Sequence, residues 1–214
     1  MSDDSDKAVA AYLPHKPNGS IRQMKRLTFH CLLCLGITRQ SILCSECRRL
    51  CLNPTETQLD DALVLSLGSF NAGLRTMILH LKHRRDGEVG FYLGQQLARH
   101  FPLHCPIDAV SWIPSQPLNR LKRGGDTSAH IAQGFASAIQ RPTAGLLDPR
   151  WQWHGRHRSR VERKLGKFRV RPNRLGQVAL IDDVFVTGRT MAGAKQALEA
   201  TGIRVAMMLT AAQR

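Results

Sequence analysis

A chain of 214 residues that is 43% hydrophobic is long enough to bury a core and too apolar for wholesale disorder. Lys and Arg number 31 against 16 Asp and Glu, and the resulting net charge of +15 points to a polyanionic partner such as nucleic acid, nucleotide or phosphorylated sugar. No stretch approaches the length of an apolar membrane span, and the opening MSDDSDKAVAAYLPHKPNGS has neither a basic nor an apolar signal region, so no span and no signal peptide are expected and a cytoplasmic location is.

Residues 1–27 read as a flexible leader, with mixed charge, Pro14, Pro17 and Gly19, and no sustained period. Residues 28–53 form a cysteine module. Cys31-Leu-Leu-Cys34 and Cys44-Ser-Glu-Cys47 are two knuckles separated by nine residues. Each places two thiolates on one ion, and together they complete a tetrahedral shell for a structural Zn²⁺ with no open position for chemistry. In a reducing compartment paired cysteines favour metal over disulfide. The competing reading is a redox dithiol, which calls for a helix start that the sequence does not display here. Cys51 and His30 are spare ligands nearby.

Residues 54–214 read as the main domain. DALVLSLGSF is a strand, and NAGLRTMILHLKHRRD opens as a helix with Leu74, Met77, Ile78 and Leu81 on one face. GEVGFYLGQQLARHF is a second helix, and IDAVSWIP is a strand stopped by Pro114. SQPLNRLKRGGDT reads as a loop and SAHIAQGFASAIQ as a helix. Residues 141–176 are the least regular and the most basic. QVALIDDV is a strand, RTMAGAKQALEAT a helix and GIRVAMMLTAA a closing strand. Strands alternating with helices predict an α/β fold: a mostly parallel sheet flanked by helices on both faces.

In a parallel sheet, ligands bind beyond the carboxyl ends of the strands. Asp182 and Asp183 stand at such an end, followed by Thr187, Gly188, Arg189 and Thr190 running into a helix N-terminus. Backbone N–H groups at that terminus, its dipole and the hydroxyls suit a phosphate, and Gly188 lets the backbone approach closely. The pattern fits a ribose 5-phosphate, with acids at the sugar hydroxyls and the turn at the phosphate. A pyrophosphate next to the acids calls for Mg²⁺. Acid pairs after a strand also serve as phospho-acceptors, but that chemistry wants a Lys near the last strand, which carries none.

VALIDDVFVTGRT resembles the PRPP-binding loop of type I phosphoribosyltransferases. With the paired knuckles ahead of it, and with HLKHRRD, IPSQP, RLKRGGD and RSRVER between, residues 28–214 resemble the ComF family (competence protein F). The resemblance implies a phosphoribosyltransferase-like fold that binds PRPP or a nucleotide with Mg²⁺, and a link to DNA uptake. It makes Asp182 and Asp183 the catalytic pair, and Val186 through Thr190 the phosphate cradle. It sets Ser115 and Gln116 at the pyrophosphate, with Lys82, Arg120 and Arg123 as cations for the leaving group. Two departures stand out. Val186 occupies the position of a second Thr, and of the acid that acts on the base in purine salvage, so hypoxanthine and guanine are disfavoured. Gly125-Asp126-Thr127 replaces Phe-Asn-Gln. Trp151 and Trp153 amid Arg156, Arg158, Arg160 and Arg163 read either as a stacking and phosphate surface for single-stranded DNA or as core tryptophans beside a basic helix face. DNA-uptake proteins are the implied protein partners.

Overall fold

The computed structural model describes residues 29–38, 42–84, 86–123, 125–149 and 168–214. Trp151, Trp153, Arg156, Arg158, Arg160 and Arg163 lie outside them, as do residues 1–27. The described chain opens with a two-residue antiparallel pair, β1 (Phe29–His30) and β2 (Ile37–Thr38), and a short helix α1 (Ser45–Cys51). A hairpin follows, β3 (Thr55–Leu59) and β4 (Ala62–Ser66), then helices α2 (Ala72–Arg84) and α3 (Gly87–His100). Next come β5 (Ala109–Trp112), α4 (Pro117–Arg123), α5 (Thr127–Ala138) and the short pair β6 (Leu147–Pro149) and β7 (Phe168–Val170). Strand β8 (Gln177–Phe185), helix α6 (Arg189–Glu199) and strand β9 (Arg204–Gln213) close the chain.

The main sheet runs β3-β4-β9-β8-β5. Only the β3–β4 hairpin is antiparallel; β4, β9, β8 and β5 are mutually parallel, so the expected α/β architecture is present. The apolar run Val178 to Ile181, read as part of a strand, is buried on both faces of the sheet. Ala179 and Ile181 face the cluster with α2, α3 and α5, while Val178 and Leu180 face the one with Met191, Ala194 and Leu198 of α6. Alternate strand residues point to opposite faces, so a strand covered by helices on both sides has no polar alternation to show. The predicted stripe of α2 is fully used: Leu74, Met77, Ile78 and Leu81 are all buried. At about 1.5–3 kcal/mol for each fully buried side chain, that stripe outweighs the weak intrinsic amphipathicity of the helix.

Four elements of residues 54–214 depart from the sequence reading. Strand β3 was hidden because Thr55-Glu56-Thr57-Gln58-Leu59 is an edge strand, alternating half-buried and exposed with no fully buried position. The stretch read as a loop after Pro114 contains α4, a helix with Leu118 and Leu121 exposed and so without the apolar inward face that signals one. The irregular region holds β6 and β7, clasped by the Arg171 guanidinium on the Asp148 carboxylate at 2.6 and 3.0 Å.

Helices α3 and α5 meet backbone to backbone. A Cβ on Gly94 would overlap the Ile131 carbonyl, and one on Gly134 would overlap the Phe91 carbonyl. Gly134→Ala is therefore expected to force the helices apart and destabilise the protein by about 3 kcal/mol in urea unfolding, whereas the same change at Gly202, with nothing near its Cβ direction, meets only its positive φ. Equal effects at the two sites would show that the contact is not tight.

Candidate functional site

The four cysteines converge. Sulfurs of Cys31, Cys34, Cys44 and Cys47 all lie within 4.8 Å of one another, and Cys34 and Cys44 are 3.7 Å apart. A tetrahedron of thiolates at the ordinary Zn–S length of about 2.3 Å has edges near that value, while a disulfide needs about 2.05 Å. The local chain explains the convergence. Leu35 takes a positive φ of 60° between Cys34 and Gly36, and the Cys31 N–H and carbonyl bond Gly36 and Leu35 across that turn at 2.7 and 2.9 Å. Cys44 caps α1, its sulfur accepting the Cys47 N–H at 3.4 Å. A CxxC at a helix start does therefore exist, contrary to the sequence reading, but its sulfurs face the other knuckle.

The thiols are electrostatically unequal. Burial pushes the Cys31 thiol up, but N–H groups of Cys34, Cys44 and Leu33 outweigh it and bring it down to about 6. Burial and the three neighbouring sulfurs push Cys47 the other way. Four thiols so placed cannot all ionise without a cation among them. They are placed to hold a metal ion. Cys31, Leu43 and Leu52 belong to the same buried cluster as α2 and α3, so the module is packed onto the main domain's core.

The second site gathers at the carboxyl end of the sheet. Strand β8 outruns β5. Their last pairing is Trp112 with Ile181, and the Ile113 N–H closes on the Ile181 carbonyl at 2.9 Å. Asp182 and Asp183 therefore project past that neighbour while still laddered to β9, where Asp182 is level with Thr210. In the same row Thr210 and Ser66 share a buried hydroxyl–hydroxyl bond of 2.7 Å.

Both acids are held by the first turn of α5. The Thr127 hydroxyl donates to Asp183 Oδ2 at 2.7 Å, and the Ser128 hydroxyl to Asp182 Oδ1 at 3.1 Å. The Asp183 N–H is a second donor to Asp182 Oδ1, at 2.8 Å. From α2, the Lys82 ammonium sits 2.8 Å from Asp183 Oδ2, with both side chains largely buried at 19% and 14% exposure. Lys82 lies in the last turn of α2, where the helix dipole favours a cation. Burial and the adjacent Asp183 charge push the Asp182 carboxyl up to about 7, against the opposing pull of its N–H and hydroxyl donors and of Lys82.

Asp126 ties the neighbouring loop in. It precedes α5 but does not cap it with its side chain; its Oδ1 instead accepts the Ser115 N–H at 2.9 Å, and its Oδ2 lies 3.8 Å from Arg120 Nη1. Ser115 is thereby fixed beside the acid pair's supports, while Gln116 is exposed and its carbonyl starts α4. Arg123 ends α4. Asp126, Thr127 and Ser128 were not among the residues singled out from the sequence as functional. Their signal was local: Asp-Thr-Ser at the start of an apolar-periodic run marks a helix N-terminus, but not which strand it faces.

Beyond the acids, Val186 is 54% exposed, Thr187, Arg189 and Thr190 are exposed, and Gly188 is buried. Gly188 takes φ 71° and begins α6 without a side-chain cap. A Cβ there would stand 2.5 Å from Leu59 Cδ1 and 3.2 Å from the Phe185 ring, so both conformation and space demand glycine. No side chain caps this helix start, and a helix N-terminus suits an anion. An open groove of about 520 Å³ is lined by Leu59, Asp60, Lys195 and Glu199 and by none of residues 182–190. Among the described residues no helix is long and apolar enough to cross a membrane.

No protein-family model matches the chain, and no curated protein matches it. Among solved structures it is similar to the adenine phosphoribosyl transferase of Trypanosoma brucei in complex with AMP, pyrophosphate and ribose-5-phosphate, at 14% identity. The match covers 76% of this chain and 86% of that one, with a TM-score of 0.40, a likeness too slight to carry an argument about the site.

Proposed function

We propose that this chain is a ComF-family, phosphoribosyltransferase-like protein of the cytoplasm that binds PRPP or a related ribose phosphate or nucleotide at the β8–α6 turn. The observation that carries this reading is the juxtaposition of two carboxylates on an outrunning parallel strand with an uncapped helix N-terminus begun by an αL glycine. In this reading Asp183 Oδ1 and Asp182 Oδ2, the oxygens not engaged in the contacts above, accept the ribose hydroxyls. The N–H groups from Gly188 onward and the hydroxyls of Thr187 and Thr190 hold the 5′-phosphate. In the same reading Ser115, Gln116, Arg120 and Arg123 serve the pyrophosphate, stabilising its charge as the C1′–oxygen bond breaks. Exposed Val186 offers no base to a purine.

The acid pair does not suit a directly coordinated Mg²⁺, because Asp183 Oδ2 already carries an ammonium and a hydroxyl donor. Mg²⁺ belongs in this reading to the pyrophosphate of the ligand, and no step is assigned to it. The cysteine cluster suits Zn²⁺, which Cys31, Cys34, Cys44 and Cys47 would hold as a structural ion.

Calorimetric titration with PRPP and Mg²⁺ tests the reading. Wild type is expected to bind, and Asp183→Asn to bind about 10- to 100-fold more weakly, the equivalent of one or two lost charge-assisted hydrogen bonds. Absence of heat with the wild type would sink it. The net charge of +15 favours a second reading in which the fold serves DNA uptake by binding single-stranded DNA without catalysis. A salt-dependent shift of a random oligonucleotide, with no response to PRPP, is the outcome that selects it.

A further inference from the structure

We propose that the Lys82 ammonium is the resident cation of the acid pair: the free protein takes no divalent ion between Asp182 and Asp183, and a ligand that uses Asp183 Oδ2 must displace Lys82. The proposal rests on the geometry of the acid pair and its donors, and holds whatever ligand the turn accepts. Two adjacent carboxylates in a half-buried strand end need a positive charge, and three kinds of donor surround them. The Thr127 and Ser128 hydroxyls and the Asp183 N–H satisfy lone pairs but bring no net charge. Among the described residues, Lys82 supplies the cation, at 2.8 Å from Asp183 Oδ2. Its position is built rather than incidental. Leu81 beside it is buried in the core, which anchors the last turn of α2, where the helix dipole favours a cation. A hard divalent ion prefers a ring of oxygens such as these carboxylates and hydroxyls, and to use Asp183 Oδ2 it would have to enter where the ammonium sits.

The arrangement has a functional consequence. Lys82 does not wait in solution for a leaving group. It is held until something else takes Asp183 Oδ2, and is released toward the ligand at that moment. For a ligand that uses this oxygen, binding and the freeing of a cation are then one event at the mouth of the site.

The test uses the full-length, metal-loaded chain and Mn²⁺ alone, followed by electron paramagnetic resonance. Lys82→Met is expected to acquire one Mn²⁺ site about tenfold tighter than any in the wild type, and Lys82→Met/Asp183→Asn to lose it. Equal Mn²⁺ binding by wild type and Lys82→Met, or a site that survives in the double variant, would overturn the proposal. Should Lys82→Met not fold, the wild type still decides. Acylation of Lys82 by a small amine reagent, read by mass spectrometry, is expected to be about tenfold slower than in Asp183→Asn, and equal rates would refute the resident-cation role.

Discussion

Cys31→Ser is expected to abolish metal binding and to destabilise the whole chain, not merely the module. A structural Zn²⁺ bound by thiolates contributes on the order of 10 kcal/mol of apparent binding free energy, which in a segment this short is also folding free energy. The residues between the knuckles supply little core of their own: Leu35 and Ile37 are 73% and 71% exposed. What the module does bury, it buries against the main domain, with Cys31 and Leu43 in the cluster that includes Leu74, Met77 and Leu93. Gly73 of α2 packs directly on Cys51. Loss of the ion should therefore uncover part of the α2–α3 face, and the melting temperature should fall by well over the roughly 2–4 °C typical of a 1 kcal/mol change in a chain of this size. Metal analysis of the purified protein, with thermal unfolding of wild type, Cys31→Ser and chelator-treated protein, checks this. One zinc per chain in the wild type and a lower transition in the other two samples are the expected results. A metal-free protein that melts with the wild type would show that the cluster is dispensable.

Asp182→Asn is expected to stabilise the protein at pH 8 and to lose that advantage at low pH. The direction follows from the raised carboxyl. The ordinary value of 3.8 applies to the unfolded chain, while in the folded protein burial first, and the Asp183 charge second, push it to about 7. The folded state thus holds this proton more tightly than the unfolded state. Its stabilising effect is complete below about pH 3.8, declines as pH rises, and is gone above about pH 7. The interval corresponds to about 4 kcal/mol at most, reduced by the solvent that half-buried Asp182 still meets. Asparagine keeps an acceptor for the Ser128 hydroxyl and the Asp183 N–H and removes the charge, so it carries no such pH dependence. Comparing wild type and variant in urea isolates the effect from other carboxylates, such as Asp148 and Asp108, that the fold holds below their usual range. A stability difference that is constant between pH 4 and pH 8 would show that Asp182 is not perturbed.

The two acids thus have different jobs despite being neighbours. Asp183 is engaged by Lys82 and Thr127 and stays at the edge of solvent. Asp182 lies in a row with Thr210 and, beyond it, Ser66, and is the one whose charge the fold resists. A ligand hydroxyl donating to Asp182 would favour its ionised form. Binding at this pair is accordingly expected to be linked to proton release in the pH range below about 7.

The amino-acid sequence by itself determined the elements whose reason is local. The 3.6-residue stripe of α2, the apolar run of β8 and the stop at Pro114 each follow from residues close together in the chain, and so does the pairing of thiols within each knuckle. It also singled out Asp182 and Asp183, because two acids directly after a buried strand have few structural uses. Other features were decided only by the tertiary structure. Whether the two knuckles meet depends on the turn at Leu35 and the cap at Cys44 together. Strand β3 exists because the parallel sheet offers it an edge, since its own polar alternation argues for nothing in particular. The partners of the acid pair come from α2 and from α5, the latter 56 residues away along the chain at Thr127. No periodicity or spacing encodes such a contact. It arises when helices packed by their apolar stripes on one face of the sheet bring their termini to the same strand end, and there the charge on Lys82 finds the carboxylate it neutralises.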